Sequence, residues 1–166
     1  WLAEQGWGDS PLWLVSHAGS EAQQIRHGLA HQLAQQLDGD PVSAPVAAAF
    51  EARGGHGLVQ VAGRSTDQFV HDGQITKSPV RAMTLAALAP RRGECLWDLG
   101  AGSGSVSVEW CLAGGRAVCV EQHATRVEGI EQNAERYALP LQVLHGDSLT
   151  LLDQLGSPPQ AVFVGG

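Results

Sequence analysis

The sequence predicts an α/β fold with a mostly parallel sheet and helices on both of its faces. From about residue 95 onward, short apolar runs alternate with helical stretches, an order typical of strands joined by crossover helices. The apolar runs are nearly continuous, as expected when both faces of a sheet are covered. A glycine-rich turn also links the first of these strands to a helix, which is typical of ligand-binding α/β sheets.

Composition narrows the class of protein. Hydrophobic residues make up 43% of the 166-residue chain and charged residues 16%, which indicates a globular protein. A net charge of −7 argues against a nucleic-acid partner bound through bulk electrostatics. No apolar run is long enough to span a bilayer, so we expect no membrane partner. The widely spaced Cys95, Cys111 and Cys119 indicate reduced thiols and a cytoplasmic location.

The first 68 residues carry weaker signals. The segment "PLWLVS", residues 11–16, predicts a strand, and residues 21–37 predict a helix. The helix prediction rests on apolar residues at every fourth position, Ile25, Leu29, Leu33 and Leu37. Residues 38–68 are rich in Gly, Pro, Ala and Asp and predict a connector, with a short strand over 57–63.

A helix is predicted to begin at Ser78 and to end before Pro90. Ser78 can cap a free backbone N–H, and the proline that follows it suits the first helical turn. The apolar face follows a period of 3.6 residues and comprises Val80, Met83, Thr84, Ala87 and Leu88.

The remaining chain reads as four strands separated by helices. The strands are predicted over 94–100, 116–121, 141–147 and 160–166. The helices are predicted over 105–115, 124–139 and 148–155.

The loop "DLGAGSGS", Asp98–Ser105, is the first candidate for a binding site. Its glycines, Gly100, Gly102 and Gly104, allow a sharp turn and a close approach of a ligand to the backbone. The helix that follows adds free N–H groups and partial positive charge. The spacing is G-x-G-x-G, whereas the dinucleotide fingerprint is G-x-G-x-x-G, which counts against a nicotinamide cofactor.

Two acidic residues extend this candidate site. Glu121 ends the second strand, where a carboxylate can accept hydrogen bonds from ribose hydroxyls. Asp147 follows the third strand, where it could face an adenine amino group, although it could equally be a turn residue or a helix cap. Together with the glycine loop, the two acids match the motif set of class I methyltransferases, which use S-adenosylmethionine.

The segments "HDGQITK" and "LWDLGAGSGSVSVEW" carry a closer resemblance. Over residues 69–166 the chain resembles the methyltransferase half of the decarboxylating precorrin-6B C5,15-methyltransferases of cobalamin biosynthesis. The resemblance implies a Rossmann-like class I methyltransferase domain, truncated after its fourth strand. It also implies methylation of C15 of a tetrapyrrole, with loss of CO2 from the C12 acetate. Stand-alone members form tetramers, so a homo-oligomer is expected.

The resemblance also places the contacts of S-adenosylmethionine on this sequence. The expected cofactor-binding residues are Thr76, Asp98, Gly100, Ala101, Gly102, Ser103, Gly104, Glu121, Gln122, Gly146, Asp147 and Ser148. Residues 1–50 resemble more weakly the end of the C5-methylating half, residues 51–68 are expected to be a linker, and the chain is expected to be a piece cut at both ends.

An acidic protein that binds a polycarboxylate needs local cations. Lys77 and Arg81 flank the "DGQIT" segment and are the candidate substrate contacts, although both could be ordinary surface charges. No catalytic residue is predicted, because the sulfonium methyl is already activated. No metal is expected: His27 and His31 lack both the Glu of H-E-x-x-H and an evident third ligand. The alternatives left open are a methyltransferase for another substrate, a nicotinamide-dependent oxidoreductase and a non-catalytic fragment.

Overall fold

The computed structural model describes residues 1–37, 42–55, 57 and 61–165. The chain divides into two compact units, Trp1–Leu58 and Val59–Gly166. The division falls inside the predicted linker, while the domain assignment made from the resemblance stays a prediction. Among the described residues, no helix is both long enough and apolar enough to cross a membrane.

The first unit contains a small antiparallel sheet in the order β2-β1-β3. A π-helical turn, Ala3–Trp7, precedes the strands. The elements that follow are β1 (Pro11–Ser16), β2 (Gln24–Leu29), α1 (Ala30–Leu37) and β3 (Ala47–Phe50). The core joins Leu12 of β1 to Ala30 and Leu33 of α1. The predicted strand over residues 11–16 is confirmed.

The helix predicted from residue 21 is wrong over its first half. Residues Gln24–Leu29 pair antiparallel with β1, from Ser16↔Gln24 to Pro11↔Leu29, and the helix begins only at Ala30. Ile25, assigned to the buried face of that helix, is 62% exposed. Gly28 opposes helix formation, and pairing with β1 satisfies the backbone groups of this stretch instead.

The stretch predicted as a connector also holds regular structure. Strand β3 pairs with β1 from Leu12↔Phe50 to Val15↔Ala47. A 3-10 turn, Thr66–Gln68, follows, and Arg64 is buried. The short strand predicted over 57–63 includes residues 58–60, which lie outside the described residues.

The second unit is the predicted α/β fold. Its sheet has the order β6-β5-β4-β7, and all three pairings are parallel. The strands are β4 (Cys95–Leu99), β5 (Arg116–Glu121), β6 (Gln142–His145) and β7 (Ala161–Val164). The helices are α2 (Ser78–Leu88), α3 (Ser105–Leu112), α4 (Ala124–Arg136) and α5 (Ser148–Leu151), the last continued by a 3-10 turn, Leu152–Gln154.

Both faces of this sheet are covered, as predicted. On one face Leu96 and Ala117 pack with Trp110 of α3 and Leu85 of α2. On the other face Val118 and Val120 pack with Leu151 and Leu155 around α5, in a separate core. Because the strands are parallel, the carboxyl ends of β4, β5 and β6 meet at one edge of the sheet, where the glycine loop and both predicted acids follow them.

The predicted bounds of α2 are confirmed, but its predicted apolar face is wrong at Val80 and Met83, although Leu88 packs against the core. Val80 and Met83 are 55% and 74% exposed, whereas the buried residues are Arg81 and Leu85. Ser78 does not cap the helix: Lys77 takes the N-cap position, and the Ser78 hydroxyl donates to the Gly63 carbonyl. Arg81 is buried because it forms an ion pair with the buried Glu109 of α3. The apolar periodicity of the sequence does not reveal this pair.

Candidate functional site

The glycine loop leaves β4 in a conformation that its glycines make possible. Gly100, Gly102 and Gly104 have φ of +73°, +58° and +67°, in the left-handed region that other residues rarely adopt. A Cβ on Gly104 would lie 2.9 Å from Ile130 Cγ2, so this glycine is required for the packing of the loop on α4. A Cβ on Gly102 would meet no described atom within 4 Å, so this glycine faces open space.

Glu121 lies at the end of β5 and fixes the glycine loop through a hydrogen bond. Its Oε2 accepts a hydrogen bond from the Gly102 N–H at 2.8 Å, and its Oε1 accepts one from the His123 N–H at 2.9 Å. The residue is only 3% exposed but lines the cleft. Each carboxylate oxygen has a further lone pair, so Glu121 can accept a ligand hydroxyl while it fixes the loop.

Asp147 follows β6 and takes the capping role that the sequence left open. It is the N-cap of α5, and its Oδ1 accepts from the N–H groups of Leu149 and Thr150, both at 3.1 Å. It also lines the cleft. Because both capping bonds use Oδ1, Oδ2 is available to a ligand.

These elements enclose one cleft of about 960 Å³ at the carboxyl edge of the sheet. Most of the predicted cofactor contacts line it together: Thr76, Gly100, Ala101, Gly102, Ser103, Glu121, Gln122, Gly146, Asp147 and Ser148. The volume falls within the range of small-molecule sites, and carboxylates lie beside open backbone. The cleft therefore fits a ligand that carries hydroxyl and amino groups.

Asp98 and Gly104 are not among the residues that line the cleft. Gly104 is the N-cap of α3 and packs on Ile130. Asp98 is fully buried, and its Oδ2 accepts a hydrogen bond from the Ser107 hydroxyl at 2.6 Å. Its Oδ1 has no described partner. Burial, with a smaller contribution from the nearby Glu121 charge, raises the pKa of Asp98 to about 6. Asp98 thus links the end of β4 to the start of α3, on either side of the glycine loop.

The "DGQIT" segment reaches the cleft through contacts with α4. The Asn133 side chain accepts from the Val70 N–H at 2.7 Å and donates to the carbonyls of Val70 and Ser103. Arg126 donates to Asp72, and residues 73–76 line the cleft. A segment that precedes the glycine loop in sequence by about 25 residues is thereby held beside it.

The two predicted substrate cations have different environments. Arg81 is wrong as a substrate contact because it is fully buried. Its Nε donates to Glu109 Oε1 at 2.7 Å, and its other nitrogens donate to the carbonyls of Thr76 and Arg64. Its guanidinium also lies 4.7 Å from the centre of the Phe69 ring. Lys77 is exposed next to Thr76, and its contact with a substrate stays a prediction.

Arg126 and Asn133 hold the site together, and sequence reasoning missed both. Arg126 lines the cleft, and Asn133 is fully buried beneath it. A polar Asn next to the apolar positions Ile130 and Ala134 was the one available signal, since buried amides need partners. For Arg126 the sequence gives no signal, because its partners lie more than 50 residues away.

Within the described ranges, no group of three or more His, Cys, Asp or Glu side chains could hold a metal ion. The three cysteines are free thiols, and burial raises the pKa of Cys111 to about 12. Such a thiol stays protonated and poorly nucleophilic near neutral pH.

The family model and two curated relatives that match this chain are precorrin methyltransferases. Residues 67–166 match the family model described as a precorrin methyltransferase domain. A precorrin-6Y C(5,15)-methyltransferase [decarboxylating] of Sinorhizobium sp is 38% identical over 99% of this chain and 40% of its own length. Its namesake from Mycobacterium tuberculosis is 36% identical over 99% of this chain and 41% of its own length. The chain thus spans about two fifths of these curated relatives.

Solved structures agree with this comparison. The C-terminal domain of precorrin-6Y C5,15-methyltransferase from Rhodobacter capsulatus has 58% identity and a TM-score of 0.64, over 66% of this chain and 60% of that domain. A precorrin-6Y C5,15-methyltransferase from Geobacter metallireducens has 31% identity and a TM-score of 0.61 over the same shares. The fold, the glycine loop and the family match agree, and the chain belongs to the precorrin methyltransferase domain family.

Proposed function

We propose that this chain is the C15-methylating, decarboxylating part of a precorrin C5,15-methyltransferase, with S-adenosylmethionine as its methyl donor. The observation that carries the proposal is the cleft, in which the open Gly102, the Glu121 carboxylate and Asp147 lie together. Relatives with 36–38% identity over 99% of the chain carry this activity in their names. No specific observation favours the alternatives of a nicotinamide enzyme or of a methyltransferase for RNA or protein.

The cofactor would be held by residues at three strand ends. The Glu121 carboxylate would accept hydrogen bonds from ribose hydroxyls, and Asp147 Oδ2 would accept one from the adenine amino group. The open side of Gly102 would admit the ligand close to the backbone. S-adenosylmethionine supplies an activated methyl group, so the chain's own task is orientation and exclusion of water.

The substrate would be a precorrin, a tetrapyrrole that carries several carboxylates. The exposed Lys77, next to the cleft residue Thr76, is the proposed cation for one of them. The reduced macrocycle supplies the carbon nucleophile, so a cation that binds the periphery would set the ring's position. A cytoplasmic location and a homo-oligomer are part of this proposal, in keeping with the resemblance.

Two measurements test the proposal in the protein expressed from its complete reading frame. With methyl-labelled S-adenosylmethionine and precorrin-6B, we expect label in the product together with release of CO2. Calorimetric titration should show that S-adenosylhomocysteine binds, and that Asp147→Ala and Glu121→Ala weaken its binding. Labelled product without CO2 would contradict the decarboxylating assignment, and equal affinity in both variants would contradict the site.

A further inference from the structure

The loop His71–Ile75, here called the cleft loop, is fixed at both ends by buried side chains. At one end Asn133, fully buried, bonds both the N–H and the carbonyl of Val70. At the other end the fully buried Arg81 donates to the carbonyl of Thr76. The loop between these anchors contributes Gly73, Gln74 and Ile75 to the wall of the cleft.

The middle of the cleft loop is held differently, by one partly exposed arginine. Arg126 Nε donates to Asp72 Oδ2 at 2.7 Å, and Arg126 Nη2 donates to Gln74 Oε1 at 2.8 Å. Both of these hydrogen bonds reach the cleft loop from α4. The Gln74 N–H and the Arg126 guanidinium lower the pKa of Asp72.

Arg126 also lines the cleft itself. It lies in the first turn of α4, three residues after His123. Glu121, Gln122, His123 and Arg126 all line the cleft. The Arg126 side chain is 21% exposed, so it is accessible at the rim rather than sealed in the core. One guanidinium therefore joins the cleft loop to the strand end that carries Glu121.

We propose that Arg126 is a positioning residue that holds the cleft loop against α4 and so completes the cofactor cleft. The inference deepens the proposed function and rests on it, since the affected ligand is the methyl donor. Arg126 acts through Asp72 and Gln74 and needs its planar fork, because a lysine ammonium cannot engage two acceptors in the same fixed geometry. Ordering the cleft loop before the cofactor binds removes an entropy cost from binding.

The test uses Arg126→Met, Arg126→Lys, Asp72→Asn and the double variant Asp72→Asn/Arg126→Met, in the protein from its complete reading frame. Arg91→Met is the control, because it removes an arginine that pairs with a carboxylate outside the cleft, Glu94 at 3.3 Å. Calorimetry measures S-adenosylhomocysteine affinity, denaturant unfolding without ligand measures the fold, and hydrogen exchange reports on residues 71–75.

We expect Arg126→Met to weaken S-adenosylhomocysteine binding about tenfold, the loss of one charge-assisted contact network. Arg126→Lys should recover little of that affinity, and Arg91→Met should lose none. The double variant should bind about as well as Arg126→Met alone, because the two residues act through one contact. The unfolding midpoint without ligand should stay unchanged, while exchange quickens only in the cleft loop.

Several results would overturn the inference. Unchanged affinity in Arg126→Met would do so, as would losses that add in the double variant. A fall in the ligand-free unfolding midpoint that accounts for the weaker binding would show a merely structural role. If the unaltered protein itself does not bind S-adenosylhomocysteine, the proposed function fails together with the inference. Binding by the unaltered protein with no effect of the variants overturns the inference alone.

Discussion

Asp98 shows how burial turns one carboxylate into a source of pH-dependent stability. The residue is fully buried beneath the glycine loop, with Ser107 as its hydrogen-bond donor and Oδ1 unpartnered among the described residues. Burial raises its pKa from 3.8 to about 6. A raised pKa means that the folded state favours the protonated form. Its stabilising effect is therefore fully present below pH 3.8 and is lost as the pH rises through 6.

Asp98→Asn removes this titration. Between pH 4 and pH 7 the free energy of unfolding of the variant should rise by about 2 kcal/mol relative to the unaltered protein, since one pKa unit corresponds to ~1.4 kcal/mol. Denaturant unfolding at a series of pH values measures the difference. Asp153→Asn, which changes an exposed carboxylate, serves as the control. A difference that is constant across this pH range would show that Asp98 does not titrate there.

Single residues also mark the limit of what the sequence could predict about the site. Glu121, Asp147 and the residues of the glycine loop were predictable because a parallel sheet brings its strand ends to one edge. Arg126 was not, because its role depends on Asp72 and Gln74, which only the folded chain brings near it. Arg81 was predicted to be a substrate contact or a surface charge, because charged residues are seldom fully buried.

At the scale of elements, Arg81 and Glu109 join α2 to α3 by a buried ion pair. The Glu109 carboxylate also accepts from the N–H groups of Gly63 and Arg64, at 2.6 and 2.9 Å. Both charged side chains are almost fully buried, at 0% and 2% exposure. Removing one partner would leave the other charge buried without compensation, which is costly in a protein interior.

We therefore expect Arg81→Met to lower the free energy of unfolding by about 3–5 kcal/mol. Lys77→Met, on the exposed residue at the start of the same helix, should change it by less than about 0.5 kcal/mol. Denaturant unfolding of both variants gives the comparison. If Arg81→Met were as stable as the unaltered protein, α2 would be held by its apolar contacts alone. In that case the ion pair would not explain why Arg81, rather than Val80 or Met83, is buried.

The elements that the sequence mispredicted share one physical cause. Apolar residues at every fourth position are compatible with a helix, but Ile25 pairs with β1 instead. Strand pairing depends on a partner elsewhere in the chain, which the local apolar pattern does not show. In the second unit, strands β4 and β5 were predictable because each apolar run follows a glycine-containing turn. An element is thus predictable where nearby residues determine its structure, and it is mispredicted where a distant strand does.

At the scale of the whole molecule, the alternation of strands and helices predicted the parallel sheet, because a right-handed crossover leaves few topologies for it. The division into Trp1–Leu58 and Val59–Gly166 was less predictable, since β3 lies within the stretch that composition marked as a connector. Alanine-rich sequence such as Ala47–Ala49 has little strand propensity, and β1 supplies the pairing that makes it a strand.

Ligand binding should affect the two units differently. Every residue that lines the cleft lies in the second unit, between Gly73 and Gly165. A ligand that binds only the folded state stabilises it by about 2.7 kcal/mol at a concentration of 100 times its Kd. S-adenosylhomocysteine should therefore raise the denaturant midpoint of hydrogen exchange for peptides from α3, β4 and β5, and leave peptides from β1 and β2 unchanged. NAD at the same concentration, the control for a dinucleotide site, should shift neither set. Equal shifts in both units would show that the chain unfolds as a single cooperative structure, and a shift with NAD alone would favour the nicotinamide alternative.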